Sequence, residues 1–145
     1  MLSEIRQPLW EYQKGQCFYC NKNMKLSGTQ VDHFLPWSRH PDDSLLNLVA
    51  ADAECNQKKS DFLADIEHAL HWEERQFKDL KAVAEASQWP LEPERTWSTA
   101  LMVYGRLTPG MRLWHTGREF VEPVGVENLV GRLRGRLDVG CSETI

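Results

Sequence analysis

The sequence predicts an α+β protein: a small ββα core with a metal knuckle over residues 1–61, then a mainly helical extension over residues 62–145. Three observations predict it. A Cys17-x-x-Cys20 pair precedes two short apolar runs of extended character, Gln30 to Leu35 and Asn47 to Ala51, each bounded by turn residues. A helix-compatible segment then begins near Ala53. From Asp61 onward the apolar residues change to the spacing of an amphipathic helix, which places the boundary there.

Taken in order, Leu2, Ile5 and Leu9 recur at helical spacing and predict a short N-terminal helix, with Pro8 as a break or first-turn residue and Gly15 as the stop. Ser27-Gly28 gives a turn before the first strand, and Pro36 ends that strand. Trp37 to Ser44, with Pro41 and two aspartates, reads as a loop. Leu63, Ile66, Leu70, Phe77, Leu80 and Ala84 form one stripe, interrupted by Glu73, and predict a single long helix ending before Trp89-Pro90. Pro93 starts another helix whose Trp97, Leu101 and Tyr104 share a face, with Gly105 as its cap. Met111 to Trp114 and Glu119 to Val121 suit a small hairpin. A last helix, Val126 to Leu137, carries Leu129, Leu133 and Leu137 but is weakened by Gly131 and Gly135.

The composition is that of a globular chain, 41% hydrophobic with six tryptophans among 145 residues and a mean hydropathy of -0.52. No apolar run approaches a membrane span. Met1 to Trp10 carries two charges and a proline where a signal peptide needs unbroken apolar sequence, so a cytoplasmic location is expected. In that setting a C-x-x-C pair is a metal knuckle or a redox motif rather than half a disulfide, and no βαβ pattern follows to favour redox. The net charge of -4 excludes a strongly basic, non-specific nucleic-acid binder. Contact with phosphate must therefore come from local features.

The chemistry is concentrated in Val31-Asp32-His33-Phe34-Leu35-Pro36-Trp37, Asn47-Leu48-Val49 and Cys55-Asn56-Gln57-Lys58-Lys59-Ser60-Asp61. Hydrolysis of a phosphodiester needs a base for water and a cation for the crowded phosphate. His33 has the chemistry of the base, since imidazole titrates near neutral pH. Asp32 and Asn56 offer the hard oxygens that Mg²⁺ prefers. Lys59 lies one helical turn beyond Asn56, on the same face, where a lysine would approach a phosphate held at Asn56. One geometric demand follows: adjacent strand residues face opposite ways, so the strand must twist, bulge or end at Asp32-His33 for both to serve one site.

The order C-x-x-C, V-D-H-x-x-P, N-L, C-N-x-x-K resembles the HNH family of ββα-metal nucleases. The stretch Val31 to Asp61 is similar to the HNH domain of CRISPR RNA-guided DNA cutters. The resemblance spans Cys17 to Asp61, under a third of the chain. It implies that Asp32 and Asn56 hold a catalytic Mg²⁺ or Mn²⁺, that His33 is the base and that Asn47 orients it. It also implies a structural Zn²⁺ held by two C-x-x-C pairs. Here the second pair reads Asp52-x-x-Cys55, which gives Cys17, Cys20, Asp52 and Cys55 as ligands. Asp52 also suits a helix N-cap, and His40 or Cys141 are alternative fourth ligands.

The implied function is metal-dependent cleavage of DNA, with a protein partner or a homodimer supplying what one site on an acidic chain lacks, as effector of a defence or mobile-element system. The rival is a zinc-stabilised nucleic-acid-binding module without catalysis, against which Asp32, His33 and Asn56 together argue. Outside the motif, His68 and His71 are expected on a solvated helix face, the six arginines from Arg106 to Arg136 as ordinary surface, and the tryptophans of the C-terminal half in the core.

Overall fold

A computed structural model describes the backbone of residues 2–143 and the side chains of residues 2–138. It is an α+β structure of six helices and two small sheets among the described residues. Helix α1 (Leu2–Tyr12) runs through Pro8 without stopping and buries Ile5 and Leu9. The chain reverses at Gly15, whose φ of +74° is one that a residue with a Cβ adopts only with strain. Its N–H closes the helix on the Trp10 carbonyl at 2.8 Å.

Strands β1 (Thr29–His33) and β2 (Leu48–Asp52) pair antiparallel, from Thr29 opposite Asp52 to His33 opposite Leu48. Helices α1 and α2 (Ala53–Lys59) both pack on this hairpin. That covering explains why Leu48, Val49, Ala50 and Ala51 are all buried instead of alternating, as they would on a sheet with one wet face.

The single helix expected from Asp61 is two. Helix α3 (Ile66–Glu73) and helix α4 (Phe77–Ser87) are separated at Glu74-Arg75-Gln76, and residues 61–65 are not helical. The apolar stripe has the right period, but Arg75 turns inward at the break. Its guanidinium donates to the carbonyls of Leu46 at 2.6 Å, Leu48 at 2.9 Å and Trp72 at 3.2 Å. A three-carbonyl anchor of this kind outweighs a few residues of helix propensity, which are worth only tenths of a kcal/mol each.

Helices α5 (Pro93–Gly105) and α6 (Val126–Glu143) pack against each other, with α6 continuing past Gly131 and Gly135. Between them β3 (Leu113–Thr116) and β4 (Glu119–Val121) form the expected hairpin. Trp72, Trp97 and Trp114 are buried, and the buried apolar residues of the two halves form one cluster. Two of the six arginines do more than coat the surface. Arg132 pairs with Glu74 at 2.7 Å, and Arg136 donates to Glu73 at 3.0 Å and sits over the Trp97 ring, which binds α6 to the end of α3. No helix among the described residues is long and apolar enough to cross a membrane.

Candidate active site

The knuckle turn brings Cys17 and Cys20 to the start of α2. Cys17 N–H donates to the Lys22 carbonyl at 2.9 Å, and Asn21 takes a left-handed φ of +63° to make the reversal. One ligand atom from each of Cys17, Cys20, Asp52 and Cys55 then lies within 4.8 Å of the other three. Ligands of a tetrahedral ion with bonds of about 2.0–2.3 Å stand roughly 3.3–3.8 Å apart, so three thiolates and a carboxylate here fit such an ion. Asp52 both joins the cluster and caps α2. Its Oδ1 accepts the Cys55 N–H at 2.7 Å, and its Oδ2 accepts the Cys20 thiol at 3.0 Å.

The protons are unevenly shared in this cluster. A hydrogen bond from Cys55, helped by backbone amides, brings Cys17 down to about 6 against the cost of burial. Burial and the Asp52 hydrogen bond push Cys20 up to about 11, while the interaction with Cys17 is the main cause raising Cys55. Asp52 is lowered: burial opposes its charge, and the Cys55 amide and neighbouring thiols overcome it. His40 does not join the cluster, and Cys141 lies outside the described side chains.

At the far end of β1, Asp32 and His33 behave oppositely. Asp32 is buried towards α2, where the Tyr19 hydroxyl donates to its Oδ2 and the Lys59 ammonium lies 3.2 Å from the same oxygen. Burial raises its pKa, and Lys59 and Tyr19 oppose the rise. His33 is the last residue of the strand. Its Nε2 meets Asp43 Oδ1 at 2.6 Å, and its ring is 5.1 Å from that of the exposed Trp37. The register of β1 on β2 is regular to its end, so the strand ends at His33 and does not bulge.

Asn47 is fully buried and bridges the loop that follows. Its Oδ1 accepts from Leu35 N at 2.8 Å, and its Nδ2 donates to the carbonyls of Asp42 at 2.9 Å and Leu35 at 3.2 Å. It therefore bears on the backbone beyond His33 rather than on the imidazole. Asn56 donates to Gln30 Oε1 at 2.7 Å, one helical turn before Lys59 on the face of α2 that meets β1. Lys59 has no exposed surface. Its ammonium donates to the His33 carbonyl at 3.1 Å and faces Asp32, so the charge expected to reach outward for a phosphate is directed inward.

Residues 17–65 match the profile of the HNH endonuclease family. This segment is an HNH domain. Among solved structures, the crystal structure of the Type II-C Cas9 enzyme from Actinomyces naeslundii is similar at 18% identity with a TM-score of 0.43, over 94% of this chain and 13% of that one. The chain thus spans only 13% of that protein's length.

All the site residues expected from the sequence fall inside the HNH domain, and two partners of theirs were not expected. Tyr19 stands between the two knuckle cysteines, and only its burial reveals it as a donor to Asp32. Asp43 belongs to a loop whose two aspartates look alike in sequence. Asp42 is buried on Ser44 and Thr96, whereas Asp43 faces His33. His68, expected in solvent, is buried on the carbonyl of His115. His71 stacks on Phe18 with ring centroids 4.7 Å apart.

Proposed function

We propose that this nuclease domain is a divalent-metal-dependent endonuclease that hydrolyses DNA phosphodiester bonds, working in the cytoplasm where its thiols stay reduced. The observation that carries the reading is the end of β1. There an imidazole backed by a carboxylate adjoins a second, buried carboxylate, inside the segment that matches the family. With Nε2–H given to Asp43, His33 presents Nδ1 as the atom that accepts a proton from water, and Asp43 stabilises the imidazolium that results. Asp32 and Asn56 hold Mg²⁺ or Mn²⁺ through oxygen. Both described contacts of Asp32 fall on Oδ2, which leaves Oδ1 for the ion. When bound, the cation supplies charge stabilisation at the phosphate and the leaving 3′ oxygen, so that a 5′-phosphate is produced.

Asn47 is a positioning residue that fixes the 34–42 loop, and Lys59 one that neutralises Asp32 and ties down the His33 backbone. Cys17, Cys20, Asp52 and Cys55 hold structural Zn²⁺, for which sulfur-rich tetrahedral sites are selective. Residues 1–61 form the nuclease core and residues 62–145 a helical extension packed on it. One such site cuts one strand, so double-strand cleavage needs a second copy or a second nick. The acidic chain suits a system, in phage defence or a mobile element, in which a protein partner delivers the DNA.

The test is supercoiled plasmid incubated with the purified zinc-loaded protein, with Mg²⁺ or with no added cation. Nicked circles should accumulate only with Mg²⁺. Binding without any nicking at any Mg²⁺ or Mn²⁺ concentration would instead establish the zinc-stabilised binding module.

A further inference from the structure

The second place where metal-ligating side chains converge lies outside the knuckle and the strand end. Asp65, His68 and His115 each offer one ligand atom within 4.8 Å of the other two. Asp65 caps α3 and His68 stands three residues on, so both issue from the first turn of that helix. His115 comes from β3, which the chain brings alongside through the paired Leu63–Asp65 and Trp114 backbones.

We propose that Asp65, His68 and His115 form a second divalent-cation site, of the zinc type, that clamps the β3–β4 hairpin to the start of α3. Two imidazoles and a carboxylate suit Zn²⁺, Co²⁺ or Ni²⁺ better than Mg²⁺, which prefers all-oxygen surroundings. The surroundings are those of an ordered site. Asp65 Oδ1 is fixed by the His68 N–H at 2.8 Å, and the His68 ring stacks on Trp114 and meets the edge of Tyr19. Protons hold the three residues together: His115 Nδ1 meets Asp65 Oδ2 at 2.6 Å, and His68 Nε2 meets the His115 carbonyl at 2.6 Å. Ligands at about 2.0–2.2 Å from one tetrahedral ion lie roughly 3.3–3.6 Å apart, so loading replaces the shared proton and opens the first contact by about 0.7–1 Å. Asp65 and His68 are buried, but the His115 side chain is 33% exposed, which gives the ion an entry and a position for water. A buried histidine that merely satisfied its own hydrogen bonds would not need a second imidazole and a carboxylate at the same point.

The site is tested by counting Co²⁺ bound to the full chain in excess Mg²⁺, which fills oxygen-donor sites, while thiolate-to-cobalt charge-transfer bands report the cysteine cluster separately. Wild type should bind one equivalent more than His115→Ala, with the thiolate bands unchanged. Asp65→Asn, which keeps the helix cap, should lose the same equivalent, and Co²⁺ added after the cysteine cluster is full should raise the Tm of wild type but not of either variant. Equal stoichiometry in wild type and both variants overturns the proposal, as does loss of the thiolate bands in both, which would make the trio a folding element. Failure of the cysteine cluster to bind shows as absent thiolate bands and leaves the extra equivalent countable.

Discussion

The knuckle and the far end of β1 are the two ends of one hairpin, and they solve the problem of clustered charge differently. At the knuckle, Cys17, Cys20, Asp52 and Cys55 converge, and among the described residues no cationic side chain pairs with Asp52, so protons relieve their repulsion. At the strand end the protein supplies its own cation. Lys59 is buried against Asp32, and Tyr19 completes the cage. A cluster that lacks a counter-charge is a binding site in waiting, whereas one that contains it is already a folded unit which a metal must enter by sharing ligands.

The sharpest way to break the comparison is to remove one thiolate. Cys17→Ser, or chelation of the ion, should abolish cooperative thermal unfolding, because metal binding on the order of 10 kcal/mol is folding free energy in so small a core. A metal-free chain with an unchanged melt would show that the core needs no ion. Loading should also release protons. Cys20 and Cys55 are held protonated at neutral pH and Cys17, at about 6, is not, so apparent affinity should rise with pH above neutrality. Calorimetry in buffers of different ionisation enthalpy measures the release, and a pH-independent affinity would refute protonation of Cys20 and Cys55.

At the other end, Lys59→Met should cost about 3–5 kcal/mol in denaturant melts, the penalty for leaving a buried charge unpaired, without lowering zinc content. A near-neutral effect would mean that Asp32 simply takes up a proton, which its raised pKa makes easier. His33→Ala should leave the fold and both metal contents intact and reduce nicking by at least about 10²-fold, the usual contribution of a general base. Asp32→Ala and Asn56→Ala should instead be partly rescued by more Mn²⁺, and a His33→Ala protein rescued the same way would place the base elsewhere. The smallest effect concerns Ser60, which closes α2 at φ 50° and ψ -133°, a region suited to glycine. Ser60→Gly should raise stability by about 1 kcal/mol while nicking is unchanged, and an unchanged or lowered Tm would show that the backbone there is not strained.

The local chemistry of this protein was written in its sequence. Cys17-x-x-Cys20, Asp32-His33, Asn47 and Asn56 named the family because residue type and spacing along a short chain fix which groups a hairpin and one helix can bring together. The start of α2, both ends of α5 and strand β4 were equally legible, since caps, prolines and turns act over a few residues, whereas β3 runs Leu113–Thr116 and not the expected Met111 to Trp114. The sequence could not decide what depends on groups distant along the chain. The break between α3 and α4 exists because Arg75 finds carbonyls of Leu46 and Leu48, and a helical period carries no information about that. Lys59 reads as a lysine that reaches out for a phosphate until the fold places Asp32 beside it. Asp43 differs from Asp42 only in which side of the loop it faces, and His68 acquires His115 only when α3 meets β3. Burial and long-range pairing set the charge state and reach of a side chain, and both are properties of the packed chain rather than of any segment of it.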